Sequence, residues 1–455
     1  MDNTVFVRGV LVNVVKRLIP FGRTPMDAAM AALALLAYKV RSDNSHLFPP
    51  FELEGGWTAL RSLDRTSSSL EHFHQLLTDL AERDERYRYW PDAVNLFKEA
   101  DGTFRECLFE MDNVYSRVNT LAALSSLTGP LVHVALEQAR TVDTLLLGAF
   151  GALAEVTAGL VDPSPGSAVY DPSCGMADQL IALQKRQPYL SLYGQDNSLL
   201  ALTVAQLNAF LNGVERIEFA LADTLANPAF KDDWGPRQFD VVLSVPPFGQ
   251  TIGNIASPSM LPGRFPLGEP KGRNLEWAFI QDALYRTRSG GQTLVMVRSG
   301  VLNSSGHEAK LRKDLLETDM LDLVVSLPSR LLSPYLGVKF QLLRFQKSVS
   351  KTRRSSVLFI DASKDFADEH FRNEPPNVAL WVHQLVTHPE KFPTLARWVS
   401  HGEIEQARMS WLPEIYLRPE AKAPNLEALE REVAQQTQIA LEARERFLKV
   451  MKETL

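Results

Sequence analysis

The chain has 455 residues, 45% of them hydrophobic and 22% charged, the composition of a globular protein long enough for two or three domains. A formal charge of −6 excludes a protein that coats nucleic acid by bulk charge, but not local DNA contact beside a more basic partner. With only Cys107 and Cys174, a disulfide framework and a cysteine zinc site are both excluded. No apolar stretch is long enough to span a bilayer and no secretion signal is present, so a reduced, cytoplasmic protein without membrane contact is expected.

Residues 1 to about 140 read as helical. Thr24-Pro25-Met26-Asp27 is a helix start: a hydroxyl cap, a proline in the first turn and an acid at the positive end of the dipole. The run from there to Val40 is apolar nearly all round, which predicts a buried helix. Leu70 to Leu80 and Val114 to Ala139 carry further helical spacing.

From Leu145 the pattern changes to alternating strands and helices. Ala168 to Tyr170 runs into Asp171-Pro172-Ser173-Cys174-Gly175-Met176-Ala177-Asp178 and then a helix from Gln179. Tyr189 to Tyr193 is a second strand, ending at Gly194-Gln195-Asp196, with a helix through Leu199 to Leu211 behind it. Arg216 to Leu221 is a third, ending at Asp223. The fourth, Val241 to Leu243, is uniformly apolar and stops at Pro246 and Pro247, which cannot donate to a ladder. Gln292–Val297, Leu321–Leu327 and Lys339–Phe345 supply three more, and Val357–Ser363 is one more short strand expected beyond the sheet. Such alternation predicts a doubly wound, mostly parallel sheet with helices on both faces.

Gly249 to Arg273 is rich in Gly, Pro and Ser and reads as a substrate-contacting loop. Residues 366–422 are mixed and uninformative. Leu426, Leu429, Val433, Gln436, Ala440, Ala443, Phe447 and Val450 alternate steps of three and four. That is the seam of a helix packed along another helix, or else of a lone amphipathic surface helix. The expected division is a helical N-terminal domain at 1–140, an α/β domain at 141–365, an extension at 366–422 and a partner-binding helix at 423–455.

Ligands of open parallel sheets bind outside the carboxyl ends of the strands. There this chain places Asp171 with Gly175, then Asp196, Asp223, and Pro246-Pro247-Phe248. Gly175 lets backbone approach a ligand closely, Asp196 can accept both hydroxyls of a ribose, and a further acid can accept from an adenine amino group. Phe248 either stacks on a flat substrate such as a nucleobase or is an ordinary core phenylalanine. A nicotinamide dehydrogenase would need Gly-x-Gly-x-x-Gly after the first strand, which is missing.

On these residues the chain resembles the DNA adenine amino-group methyltransferases, in particular the modification subunits of type I restriction systems. Asp171-Pro172-Ser173-Cys174-Gly175 is similar to the family's glycine turn for S-adenosylmethionine, Asp196 to its ribose acid and Asp223-Thr224-Leu225 to its adenine-side acid. Val245-Pro246-Pro247-Phe248 occupies the place of its catalytic Asn-Pro-Pro-Phe. Leu358 to Ser363, Asn303 to Arg312 and Tyr38 to Asp43 are similar to further segments of the type I subunits. The resemblance implies a Rossmann-like S-adenosylmethionine-dependent methyltransferase fold with an N-terminal helical domain and a C-terminal helix. It also implies a restriction-modification or anti-phage assembly with double-stranded DNA, a specificity subunit and a second methyltransferase or restriction subunit. Three positions depart: Val245 replaces the asparagine, Ala177 replaces a later glycine, and Phe150-Gly151-Ala152-Leu153 stands where the family has Thr-Pro. Together they predict a weakened or lost methyl transfer.

Overall fold

A computed structural model describes residues 3–48, 56–64, 66–114, 119–139, 151–214, 216–232, 235–248, 261–268, 275–328, 339–347, 355–363 and 377–417. The helix Pro25–Asp43 begins as its sequence demands. Thr24 Oγ1 accepts from the Asp27 amide and the Asp27 carboxylate accepts from the Thr24 amide, closing a capping box. Every residue from Met26 to Arg41 is buried. Helices Asn3–Leu18, Ser69–Arg83, Asp101–Asp112 and Leu121–Ala139 share one apolar cluster with it. That cluster extends into the helix Leu199–Leu211 through Val204, Leu207, Phe210 and Leu211, so the N-terminal helices pack directly on the sheet-bearing part. The burial reaches polar groups too: Lys39 pairs with Asp43 at 2.6 Å and the Arg41 guanidinium lies over the Tyr87 ring.

The strands are β1 (Ala168–Asp171), β2 (Ser191–Asp196), β3 (Ile217–Leu221), the short pair β4 (Lys231–Asp232) and β5 (Gly235–Pro236), β6 (Phe239–Ser244), β7 (Thr287–Arg298), β8 (Leu321–Ser326), β9 (Phe340–Gln346), β10 (Ser356–Asp361) and β11 (Ala396–Ser400). The main sheet runs β11-β10-β8-β9-β7-β6-β1-β2-β3, with β4 and β5 paired apart. Neighbours are parallel except at β9, antiparallel to both β7 and β8, and at β11, antiparallel to β10. From β1 the chain winds one way to β2 and β3, then returns to add β6 on the other side. The gap between β1 and β6 is therefore the topological switch point. One face of the sheet is covered by helices Gly151–Leu160, Asp178–Arg186, Leu199–Leu211 and Val378–Thr387, the other by Glu276–Arg286 and His307–Glu317.

Several expected boundaries move. The helical reading from Val114 begins at Leu121. Tyr189 is a turn residue with φ 69°, and Gly194, Gln195 and Asp196 lie inside β2 rather than beyond it. Residues 366–422, uninformative in sequence, contain the helix Val378–Thr387 and the edge strand β11. Of β11, only Ala396 and Val399 are buried, so it lacks the period-two pattern that marks a strand. The heptad seam at 426–450 lies outside the described residues.

Candidate functional site

The turn after β1 is built by its own side chains. Asp171 Oδ1 accepts from the Ser173 amide at 3.0 Å, and the Ala177 amide donates to Cys174 O at 2.7 Å. Gly175 has φ 52°, and a Cβ there would enter open space: the missing side chain leaves room for a ligand against the backbone. Ala177 is also left-handed, at φ 64°, which costs a non-glycine residue about 1–2 kcal/mol. The turn rests on β2 through the Cys174 amide, which donates to Gln195 O at 2.9 Å. Gly194 permits this, because a Cβ there would come within 3.0 Å of Cys174 Sγ and of the Phe219 ring.

Asp196 faces the turn. Its Oδ2 accepts from the Gly175 amide at 2.9 Å and its Oδ1 from the Ser198 amide at 2.9 Å, which aims the carboxylate while leaving further lone pairs. Burial raises its pKa against those same amides. Asp223 is half-buried, and its Oδ1 accepts from the Leu225 and Ala226 amides at 2.8 and 2.9 Å. Thr224 Oγ1 donates to Pro172 O and ties the end of β3 to the turn. Asp171 is fully buried, and its Oδ2 has no partner. Burial pushes this carboxyl up to about 8; the Ser173 amide opposes the shift and the Asp196 charge adds to it. Cys174 is buried as well, its thiol raised by burial first and by Asp196 and Asp171 next.

β6 delivers Val245, Pro246, Pro247 and Phe248 beside this turn. Val245, Pro247 and Phe248 are half-buried and Pro246 is buried. The Phe248 ring packs at 4.6 Å and 49° against Phe340 at the start of β9. Ser173 Oγ donates to Val245 O at 3.0 Å, with Ser244 Oγ 3.4 Å away. Glycine turn, two acids and the strand end with Phe248 thus share the carboxyl edge at the switch point.

Two supports show their partners only in the structure. Arg264 is fully buried in the loop after β6; it pairs with Asp282 at 2.7 Å and donates to Leu225 O and Thr224 O. Residues 261–268 are therefore fixed beside Asp223, within the segment 249–273 read from the sequence as a substrate-contacting loop. Nothing in a lone arginine among glycines and prolines signals that burial. The second support is Asn208, whose amide donates to Met176 O at 2.8 Å and Asp178 Oδ1 at 2.9 Å, while His133 Nε2 lies 3.6 Å from Asp178. Contacts between residues 30 to 45 positions apart have no local signature.

A mostly parallel doubly wound sheet with an antiparallel β9 and this edge is a methyltransferase fold. A type I restriction-modification system methyltransferase subunit from Streptococcus thermophilus superposes with a TM-score of 0.70 at 20% identity, covering 90% of this chain and 99% of that one. A chain from a structure on complex assembly and conformational transition of the type I R-M system gives 0.55 at 15% identity, covering 97% of each. The N-6 DNA methylase family matches residues 151–420, and the chain belongs to that family. Among curated relatives, the type I restriction enzyme MjaVIII methylase subunit of Methanocaldococcus jannaschii is 26% identical over 47% of this chain and 39% of its own length. The MpnII methylase subunit of Mycoplasma pneumoniae is 25% identical over 57% and 50% respectively. The chain thus matches half or less of the length of these relatives.

Proposed function

We propose that this chain is the modification subunit of a type I restriction-modification or related anti-phage system, directed at an adenine amino group in double-stranded DNA. One observation carries the reading: the glycine turn and the Pro246–Phe248 strand end meet at one sheet edge, the proximity that a methyl donor and its acceptor would require. Open space at Gly175 and the aimed Asp196 carboxylate fit S-adenosylmethionine, whose sulfonium supplies an activated methyl group. Asp196 would hold the ribose hydroxyls and Asp223 the adenine amino group, while the buried Asp171 and Cys174 shape the turn. Phe248 would stack a flipped base and Pro246 O would accept from its amino group. In the same reading, residues 1–140 clamp DNA, 141–365 form the transferase, and the 423–455 helix beyond the extension docks on a specificity subunit, with a second methyltransferase or a restriction subunit alongside.

Val245 favours a second reading, a weakened or non-catalytic subunit serving DNA binding and assembly. Its side chain cannot accept a hydrogen bond, so one amino hydrogen of the target is left unpaired in a dry pocket. Removing one such acceptor typically costs about 10²–10³ in rate. Radiolabelled methyl transfer by the complete assembly should be slow in the wild type and rise about a hundredfold in Val245→Asn. Rapid wild-type transfer that depends on this subunit's pocket would overturn the inference from valine. No gain on restoring asparagine would move the lesion to Ala177 or to the segment at 150–153.

A further inference from the structure

The turn that follows β1 is tied to every neighbouring strand end, but the ties differ in kind. On the β2 and β3 side it is held by the Cys174 and Gly175 amides and by Thr224 Oγ1. On the β6 side the tie is a side chain of the turn itself: Ser173 Oγ donates to Val245 O at 3.0 Å. The strand end needs an outside donor there, since Pro246 and Pro247 carry no amide hydrogen. Ser244 Oγ, 3.4 Å from Ser173 Oγ, sits behind the bond on the buried side of β6. Ser173 itself is half-buried, one residue from Cys174 and two from Gly175.

We propose that Ser173 is a positioning residue that couples the turn to the strand end bearing Val245–Phe248, so that a ligand seated on the turn fixes the acceptor side. This rests on the reading above, which puts cofactor at the turn and target base at Phe248. A hydroxyl–carbonyl bond suits the task. It is short enough to set the spacing of the two segments, and it leaves one lone pair of the oxygen to the site beside the one that the Ser244 hydroxyl reaches. It also makes use of a backbone group that no change at position 245 can remove.

Hydrogen exchange on the purified full chain tests this without requiring catalysis. With S-adenosylmethionine added, exchange in the peptide 239–248 should slow in the wild type and in Ser173→Thr, but not in Ser173→Ala. Without ligand, Ser173→Ala should exchange about five- to tenfold faster there, the effect of one lost hydrogen bond. Equal protection of the three proteins by ligand overturns the coupling. If the wild type shows no S-adenosylmethionine binding by calorimetry, the proposed function fails instead. The tie is then judged on the ligand-free rates alone, and an unchanged rate in Ser173→Ala overturns it. Should Ser173→Ala not fold, Ser173→Cys, nearly isosteric with a weaker donor, gives the same comparison. In methyl transfer, where the wild type supports it, Ser173→Ala should lower kcat with unchanged cofactor affinity. A parallel loss of both would make Ser173 a merely structural part of the turn and overturn the proposal.

Discussion

Asp171→Asn should change the pH dependence of stability and reverse in sign between mild acid and mild alkali. Asp171 is fully buried, with one oxygen bonded to the Ser173 amide and the other without a partner. Its carboxyl is pushed from 3.8 up to about 8, chiefly by burial. A folded-state value above the unfolded one means that the proton favours the folded state. The contribution is full below about pH 4 and is lost as pH rises through about 8. At about 1.4 kcal/mol per pH unit, neutral solution costs the folded state about 4 kcal/mol. Asparagine keeps the acceptor for Ser173 and carries no charge, but its NH2 group leaves two buried donors unpaired where the protonated carboxyl leaves one, at about 1–3 kcal/mol. The variant should therefore melt below the wild type near pH 4, and above it at neutral pH by the equivalent of about 1–3 kcal/mol, with a wider gap toward pH 8. Melting temperatures across that range, read by circular dichroism, decide it. A constant loss at every pH would mean that the carboxylate is ionised and satisfied in the folded protein, and the argument from burial would fall.

Three further outcomes follow from the same geometry. Ala177→Gly, which relieves a left-handed alanine at φ 64°, should raise stability by about 1 kcal/mol in thermal melts; a loss would show that the methyl packs favourably enough to outweigh the strain. Asp196→Ala should weaken S-adenosylmethionine binding by about 1–3 kcal/mol in calorimetry, and unchanged affinity would remove Asp196 from the ribose site. Deleting residues 424–455 should leave the melting of the core unchanged and abolish co-purification with partner subunits; normal assembly of the truncated chain would show that the heptad seam serves another purpose.

What the sequence determined was local in its physics. Thr24-Pro25-Met26-Asp27 closes a capping box with its own backbone, so its helix start was legible from four residues. The strands ending at Asp171 and Ser244 were legible because runs of mostly buried apolar residues end at or next to an acid or a proline, whereas β3, with no residue buried, was legible only from its apolar residues ahead of Asp223. The order of acids and glycine was visible for the same reason, since Asp171 and Asp196 close their own strands and Gly175 and Asp223 follow theirs within a few residues. Tertiary structure decided what depends on pairs of segments. Antiparallel β9 lies between β7 and β8, an insertion that no periodicity encodes. β11 is an edge strand with two buried residues, and edge pairing is chosen by the neighbour β10 rather than by its own pattern. Arg264 is drawn inside by Asp282 and two carbonyls supplied from other elements. Ser173 meets Val245 because the sheet sets β1 beside β6, bringing together residues 72 positions apart. Propensities and caps act within a few residues of chain, whereas burial and hydrogen-bond partners are allotted only when the sheet closes.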